Sequence, residues 1–192
     1  MFEIFCDMDG VLTDFDKKFY ELTGIPPLQY KEYYSEQQFI NIINSDIFFW
    51  KNLEPMPDAM ELWEYIKVCK PTILTKPSGN IELCKKQKID WVLERLGSDI
   101  KVVFSHNKYK YATPESILID NSENNINDWK NAGGIGILHK NAKGSIKKLD
   151  TYLKDKHSAE IIIKKFALLS IDASNIEVLL QKAIKNNITS IS

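Results

Sequence analysis

Cysteine is scarce: Cys6, Cys69 and Cys84 are the only three in 192 residues, and no two form a CxxC pair. An odd, scattered set excludes a disulfide framework and a cysteine-based zinc site, and it suits a reducing compartment. An excess of either charge is missing as well, since the formal net charge is -1. No global field is therefore available to hold a nucleic-acid polymer or an anionic membrane, although local positive groups could still hold a small anion. No apolar run approaches the ~18 residues that a membrane helix needs. The opening MFEIFCDMDG has neither the basic segment nor the apolar core of a signal peptide. A cytoplasmic location is expected. Repeats and low-complexity tracts are absent too. What remains is 44% hydrophobic and 27% charged, a globular composition long enough for one core and an insertion or appendage.

Short β-branched runs alternate with helical patterns. Residues 2–6, Thr72–Thr75, Lys101–Phe104, Ser116–Ile119 and Ile135–Leu138 read as buried parallel strands. Between them the spacing predicts four helices. One follows Pro57 with a stripe of Met60, Trp63 and Lys67, Leu62 and Ile66 lying beside it. One runs from about Ile81 to Leu96 and stops at Gly97. One runs from about Ile126 to Gly133. One starts near Ser145 with Ile146, Leu149 and Leu153 on its inner face. The fold class that follows is α/β, a Rossmann-like parallel sheet with right-handed crossovers. Residues 1–14 and 57–154 form the core. Residues 15–56, dense in aromatics, form a small helical cap inserted after the first strand. Residues 155–192 form a C-terminal helical tail, with a capping box at Ser174 and Glu177 and an apolar face including Ile176, Leu179 and Leu180.

The strongest chemical signal is Asp7-Met8-Asp9-Gly10-Val11-Leu12-Thr13-Asp14, directly after an apolar strand. In open α/β sheets, ligands bind beyond the carboxyl ends of the strands. Asp7 and Asp9, two apart in extended chain, point to the same side, and Gly10 lets the backbone turn away. Paired carboxylates call for a divalent cation, and oxygen ligands suit Mg2+. The division of labour is Asp7 as nucleophile on phosphorus and Asp9 as general acid and then base. A calcium loop is excluded because position 11 is Val.

Three further strand ends carry polar groups. Thr75 and Lys76 follow the second strand, where Thr75 could donate to a phosphate oxygen. Lys108 or Lys110, after the third, could neutralise a phosphoryl group, with His106 close by. Asp120 ends the fourth as a final metal ligand, followed by Asn121, Glu123 and Asn125. Asn125 is expected to cap the helix that follows. The order of carboxylate pair, hydroxyl, lysine and carboxylate, each after an apolar strand, is itself the signal.

These residues resemble the haloacid dehalogenase-like superfamily of phosphohydrolases. DMDGVLTDF is similar to its first motif, ILT to its second, the Lys108 region to its third and ILIDN to its fourth. FFWKNLEPMPDA, KIDWVLERLG and NAGGIGILHKN resemble the 5'(3')-deoxyribonucleotidase group, short phage-type members included, so that the likeness spans residues 2–142. The resemblance implies Mg2+ held by the Asp7 side chain, the Asp9 carbonyl and Asp120. It implies phosphate held by Thr75 and Lys108, with Lys108 preferred over Lys110, and a phosphate contact from Lys88. Cap aromatics near Phe48, Phe49 and Trp50 would contact a base. Two positions depart from the group: Asn121 stands where a second acid is usual, and Lys76 where a small hydroxyl residue is often found.

The reading is thus an Mg2+-dependent phosphatase acting on a small nucleotide, a nucleoside monophosphate, as a monomer or homodimer. The alternatives are a phosphatase for another small phosphorylated metabolite, or a catalytically weak binding member of the same fold. Fold and motifs constrain phosphoryl transfer but not the leaving group.

Overall fold

The computed structural model describes residues 2–154. The chain divides into two compact units, Met1–Lys147 and Lys148–Ser192. Sheet, cap and candidate site belong to the first. Of the second, residues 148–154 are described and are helical. The expectations for residues 155–192, including the capping box at Ser174, lie outside the described residues.

Five strands form one wholly parallel sheet: β1 (Glu3–Cys6), β2 (Thr72–Thr75), β3 (Val102–Phe104), β4 (Ser116–Asp120) and β5 (Ile135–Leu138). Their spatial order is β3-β2-β1-β4-β5. The chain steps outward from β1 to β3, then returns to β1's other side to add β4 and β5. That reversal opens a crevice at the carboxyl ends of β1 and β4, where α/β sheets bind ligands. β2 and β4 are buried along their whole length, which explains their apolar centres, Ile73-Leu74 and Ile117-Leu118-Ile119. This is the Rossmann-like architecture that the alternating pattern predicts. Phe5, Leu74 and Leu118 pack with Ile126 and Trp129 of α6 (Glu123–Asn131).

Between β1 and β2 lie three helices of the cap, α1 (Phe15–Thr23), α2 (Pro27–Tyr33) and α3 (Glu36–Ser45), followed by α4 (Ala59–Ile66). Each cap helix starts at a local signal. Asp14 accepts the Lys17 N–H, Pro27 opens α2, and Ser35 with Gln38 forms a reciprocal capping box. Phe19, Tyr30, Phe39, Ile43, Phe49, Trp50 and Leu53 then form one cluster that also takes in Cys84 of α5 (Ile81–Arg95). The aromatic density of residues 15–56 is therefore spent mainly on packing these helices and the segment after them on one another, with Cys84 the member that α5 contributes. Gln87 of α5 reinforces the seam: its amide donates to Ile47 O at 2.6 Å and accepts from the Lys51 N–H at 3.2 Å.

Several predicted helix details shift. α4 buries Ala59, Leu62, Trp63 and Ile66, whereas Met60 and Lys67 are exposed. The inner stripe thus runs one residue off the predicted one. α6 begins at Glu123 rather than Ile126, capped by Ser122. The last described helix begins at residue 142 rather than at Ser145, with Asn141 accepting from the Gly144 N–H at 2.8 Å. In both cases a polar cap starts the helix before its first large apolar residue.

Candidate active site

Strand register places the first two carboxylates. Cys6 pairs with Ile119, and the Asp7 N–H donates to Ile119 O at 2.9 Å, so Asp7 and Asp120 leave the sheet side by side. Lys108 rises from the short 3-10 turn Lys108–Tyr111 after β3, and its Nζ lies 2.6 Å from both Asp7 Oδ1 and Asp120 Oδ2. All three side chains are buried. Asp120 is held further by the Ser122 N–H at 2.8 Å and the Asn125 amide at 3.0 Å.

A second ammonium serves the next carboxylate. Lys88 of α5 donates to Asp9 Oδ2 at 2.5 Å, to Thr75 Oγ1 at 2.8 Å and to Lys76 O at 3.1 Å. Thr13 donates to the other Asp9 oxygen at 3.0 Å. The turn that returns Thr13 to Asp9 depends on Gly10, whose φ is +82°. A Cβ at Gly10 would stand 2.1 Å from Asn121 Nδ2, so the amide lies directly against the glycine. The Trp50 ring covers Lys88, with Nζ 4.5 Å from its centroid.

Three carboxylates therefore face two ammonium groups, which leaves negative charge in excess. The Asp7 carboxyl is raised to about 7, the balance of several influences of which burial is the largest. Lys108 pulls it down, and Asp120 and Asp9 push it up again. Burial alone would depress Lys108, but Asp7 and Asp120 outweigh it and raise its pKa. The Asp7 shift comes first from burial and the Lys108 shift from its two carboxylate neighbours. Among the described residues, no group of three His, Cys, Asp or Glu side chains is arranged to hold a metal ion. A cation here would rest on two carboxylates, from Asp7 and Asp120, supplemented by backbone carbonyl oxygen and water. An all-oxygen donor set with surplus negative charge fits Mg2+.

The other predicted residues fall into two groups. Thr75, Asp9, Lys88 and Lys108 are brought to the carboxylates, and Trp50 reaches them through Lys88. Lys76 contributes its carbonyl, while its side chain is exposed. Phe48 is 53% exposed, and Phe49 is buried in the cap cluster, so packing accounts for Phe49. Lys110, His106 and Glu123 are exposed. Cys6 is fully buried, and burial pushes its thiol far above the ordinary range.

Asn125 corrects the capping expectation. Ser122 caps α6, and the Asn125 amide is turned onto Asp120. The spacing Ser122-x-x-Asn125 was the available signal, because a serine three residues upstream is a competent cap. Thr13, within the first motif, is a further site residue through its bond to Asp9, and the sequence pattern alone does not single it out.

No family model matches the sequence. Among solved structures, the fold is similar to a haloacid dehalogenase-like family hydrolase from Xanthomonas campestris, at 13% identity and a TM-score of 0.52. The match covers 79% of this chain and 91% of that one. A hydrolase from Streptococcus pneumoniae TIGR4 aligns at 14% identity with a TM-score of 0.48, over 77% of this chain and 97% of that one. The five-stranded parallel sheet with flanking helices is a haloacid dehalogenase-like fold.

Proposed function

We propose that the protein is a phosphatase for small phosphorylated metabolites, preferring nucleoside monophosphates, and that it works through a covalent aspartyl-phosphate on Asp7. The observation that carries this reading is the pair Asp7 and Asp120 at adjacent strand ends, sharing the ammonium of Lys108 at 2.6 Å.

In the first half-reaction an Asp7 carboxylate oxygen attacks phosphorus. The ester P–O bond breaks, and the leaving oxygen takes a proton from Asp9. In the second, Asp9 accepts a proton from water, the water oxygen attacks phosphorus, and the bond to Asp7 breaks to release phosphate. Lys108 offsets charge on the phosphoryl oxygens. Thr75 accepts from Lys88 and so keeps its own hydroxyl proton to donate to a phosphate oxygen. Asp7, Asp120 and the Asp9 carbonyl would hold Mg2+, which when bound screens the phosphate's negative charge from the nucleophile.

The nucleotide preference draws support from the cap. Trp50 borders both Lys88 and a cavity of about 290 Å3. Ile43, Ile47 and Leu83 supply apolar wall to that cavity, and Asn44, Asn80 and Gln87 supply amides, a mixture suited to a planar heterocycle.

The test is phosphate release across ribo- and deoxyribonucleoside 5'- and 3'-monophosphates and sugar phosphates, with Mg2+ and with a chelator. Release from nucleotides that requires Mg2+ is expected. Preference for sugar phosphates would replace the substrate class, and no release from any monoester with Mg2+ present would end the phosphatase reading.

A further inference from the structure

Lys88 is fully buried, and its ammonium has no spare hydrogen. A lysine ammonium carries three N–H donors. Here they meet Asp9 Oδ2, Thr75 Oγ1 and Lys76 O at 2.5, 2.8 and 3.1 Å. Trp50 closes another side. To contact a phosphate, Lys88 would have to release one of these acceptors inside a water-poor site, where a broken hydrogen bond to a charged group is costly. Lys108 differs: it gives two of its three N–H groups to Asp7 and Asp120.

We propose that Lys88 is a positioning residue, which holds the Asp9 carboxylate and the Thr75 hydroxyl in place and does not bind the substrate's phosphate. This rests on the phosphatase reading for its catalytic consequence, but not for its geometry. Lys88 reaches across from α5 to join the turn after β1 to the end of β2. Lys88 and Thr13 grip opposite oxygens of Asp9, so the carboxylate is held from both sides. Gln87, the preceding residue on α5, clamps the cap linker at Ile47 and Lys51. The same stretch of helix thus grips both the cap and the proton-transfer carboxylate.

Two measurements on the full chain test this. The first is kinetic: Lys88→Met should lower kcat about 100-fold, the scale of a misplaced general acid–base. KM and the inhibition constant of inorganic phosphate should stay within about twofold, as expected when ground-state binding is untouched. A rise of about tenfold or more in both constants, with kcat kept, would make Lys88 a phosphate ligand and overturn the proposal. The second is a urea-unfolding cycle of Lys88→Met, Asp9→Asn and the double variant, which needs no turnover. Coupling predicts a double variant no less stable than the weaker single one. Additive losses would show that Lys88 does not act through Asp9. A wild-type protein without activity would sink the phosphatase reading and leave the cycle to decide on Lys88.

Discussion

The ammonium of Lys108 lies 2.6 Å from a carboxylate oxygen of Asp120, a residue with no exposed surface. A buried pair of this kind contributes less by its attraction than its disruption costs, because the remaining partner keeps its charge without compensation. Asp7, on the same ammonium, would be left in the same state.

Lys108→Ala should therefore destabilise the fold by about 3–5 kcal/mol and also suppress phosphate release. Lys110→Ala, two residues on at an exposed position, should change stability by no more than about 0.5 kcal/mol. Urea unfolding and phosphate release measured on both variants check the ranking, and equal effects would contradict it.

Asp7→Asn should remove turnover without unfolding the protein. The amide keeps the volume of the carboxylate, and Lys108 retains Asp120 as a charged partner. Circular dichroism melting should give a wild-type transition beside undetectable phosphate release. Residual turnover near the wild-type rate would assign the nucleophile elsewhere.

Gly10→Ala should cost about 1–3 kcal/mol, because a side chain is strained at positive φ. The second cause is contact, since the new Cβ would meet Asn121 Nδ2 at 2.1 Å. Asn121→Ala in the same chain should recover only part of the loss, since it relieves the contact and not the φ of +82°. Full recovery would mean that the backbone conformation carries no strain. The measurement is the urea midpoint of the wild type, Gly10→Ala and the double variant.

His139 gives a pH dependence of stability. Its Nδ1 lies 2.9 Å from the Ser145 hydroxyl. Burial lowers its pKa from 6.5, against an opposing pull from Asp58. The folded state thus holds the ring neutral where the unfolded state protonates it. Its contribution to stability is complete above the unfolded pKa and is lost as pH falls below 6.5 through the folded value. Thermal melts at stepped pH should show this loss, and His139→Gln should flatten the slope in that window. An unchanged slope would place the titration on other groups.

The motif residues were legible in the sequence because strand ends are local events. An apolar run such as Ile117-Leu118-Ile119 stops at a charged residue, and the period of the pattern announces a buried strand before the partner strand is known. Helix starts were less legible. Ser122 and Asn125 are both plausible caps, and only the position of Asp120 decides that Asn125 turns to the carboxylate. The cap aromatics were ambiguous for a related reason: Phe48, Phe49 and Trp50 are consecutive, and their directions depend on how the linker is clamped by Gln87.

By itself, the sequence determined the α/β alternation, the five strands and the carboxylates, hydroxyl and lysines at or near their ends. All of these follow from short-range patterns of burial and turning. The tertiary structure decided which ammonium meets which carboxylate. Lys88 is 79 residues from Asp9 along the chain, and Lys108 is 12 from Asp120. Charges pair by distance in space, and that distance exists only once the strand order β3-β2-β1-β4-β5 has brought the ends together.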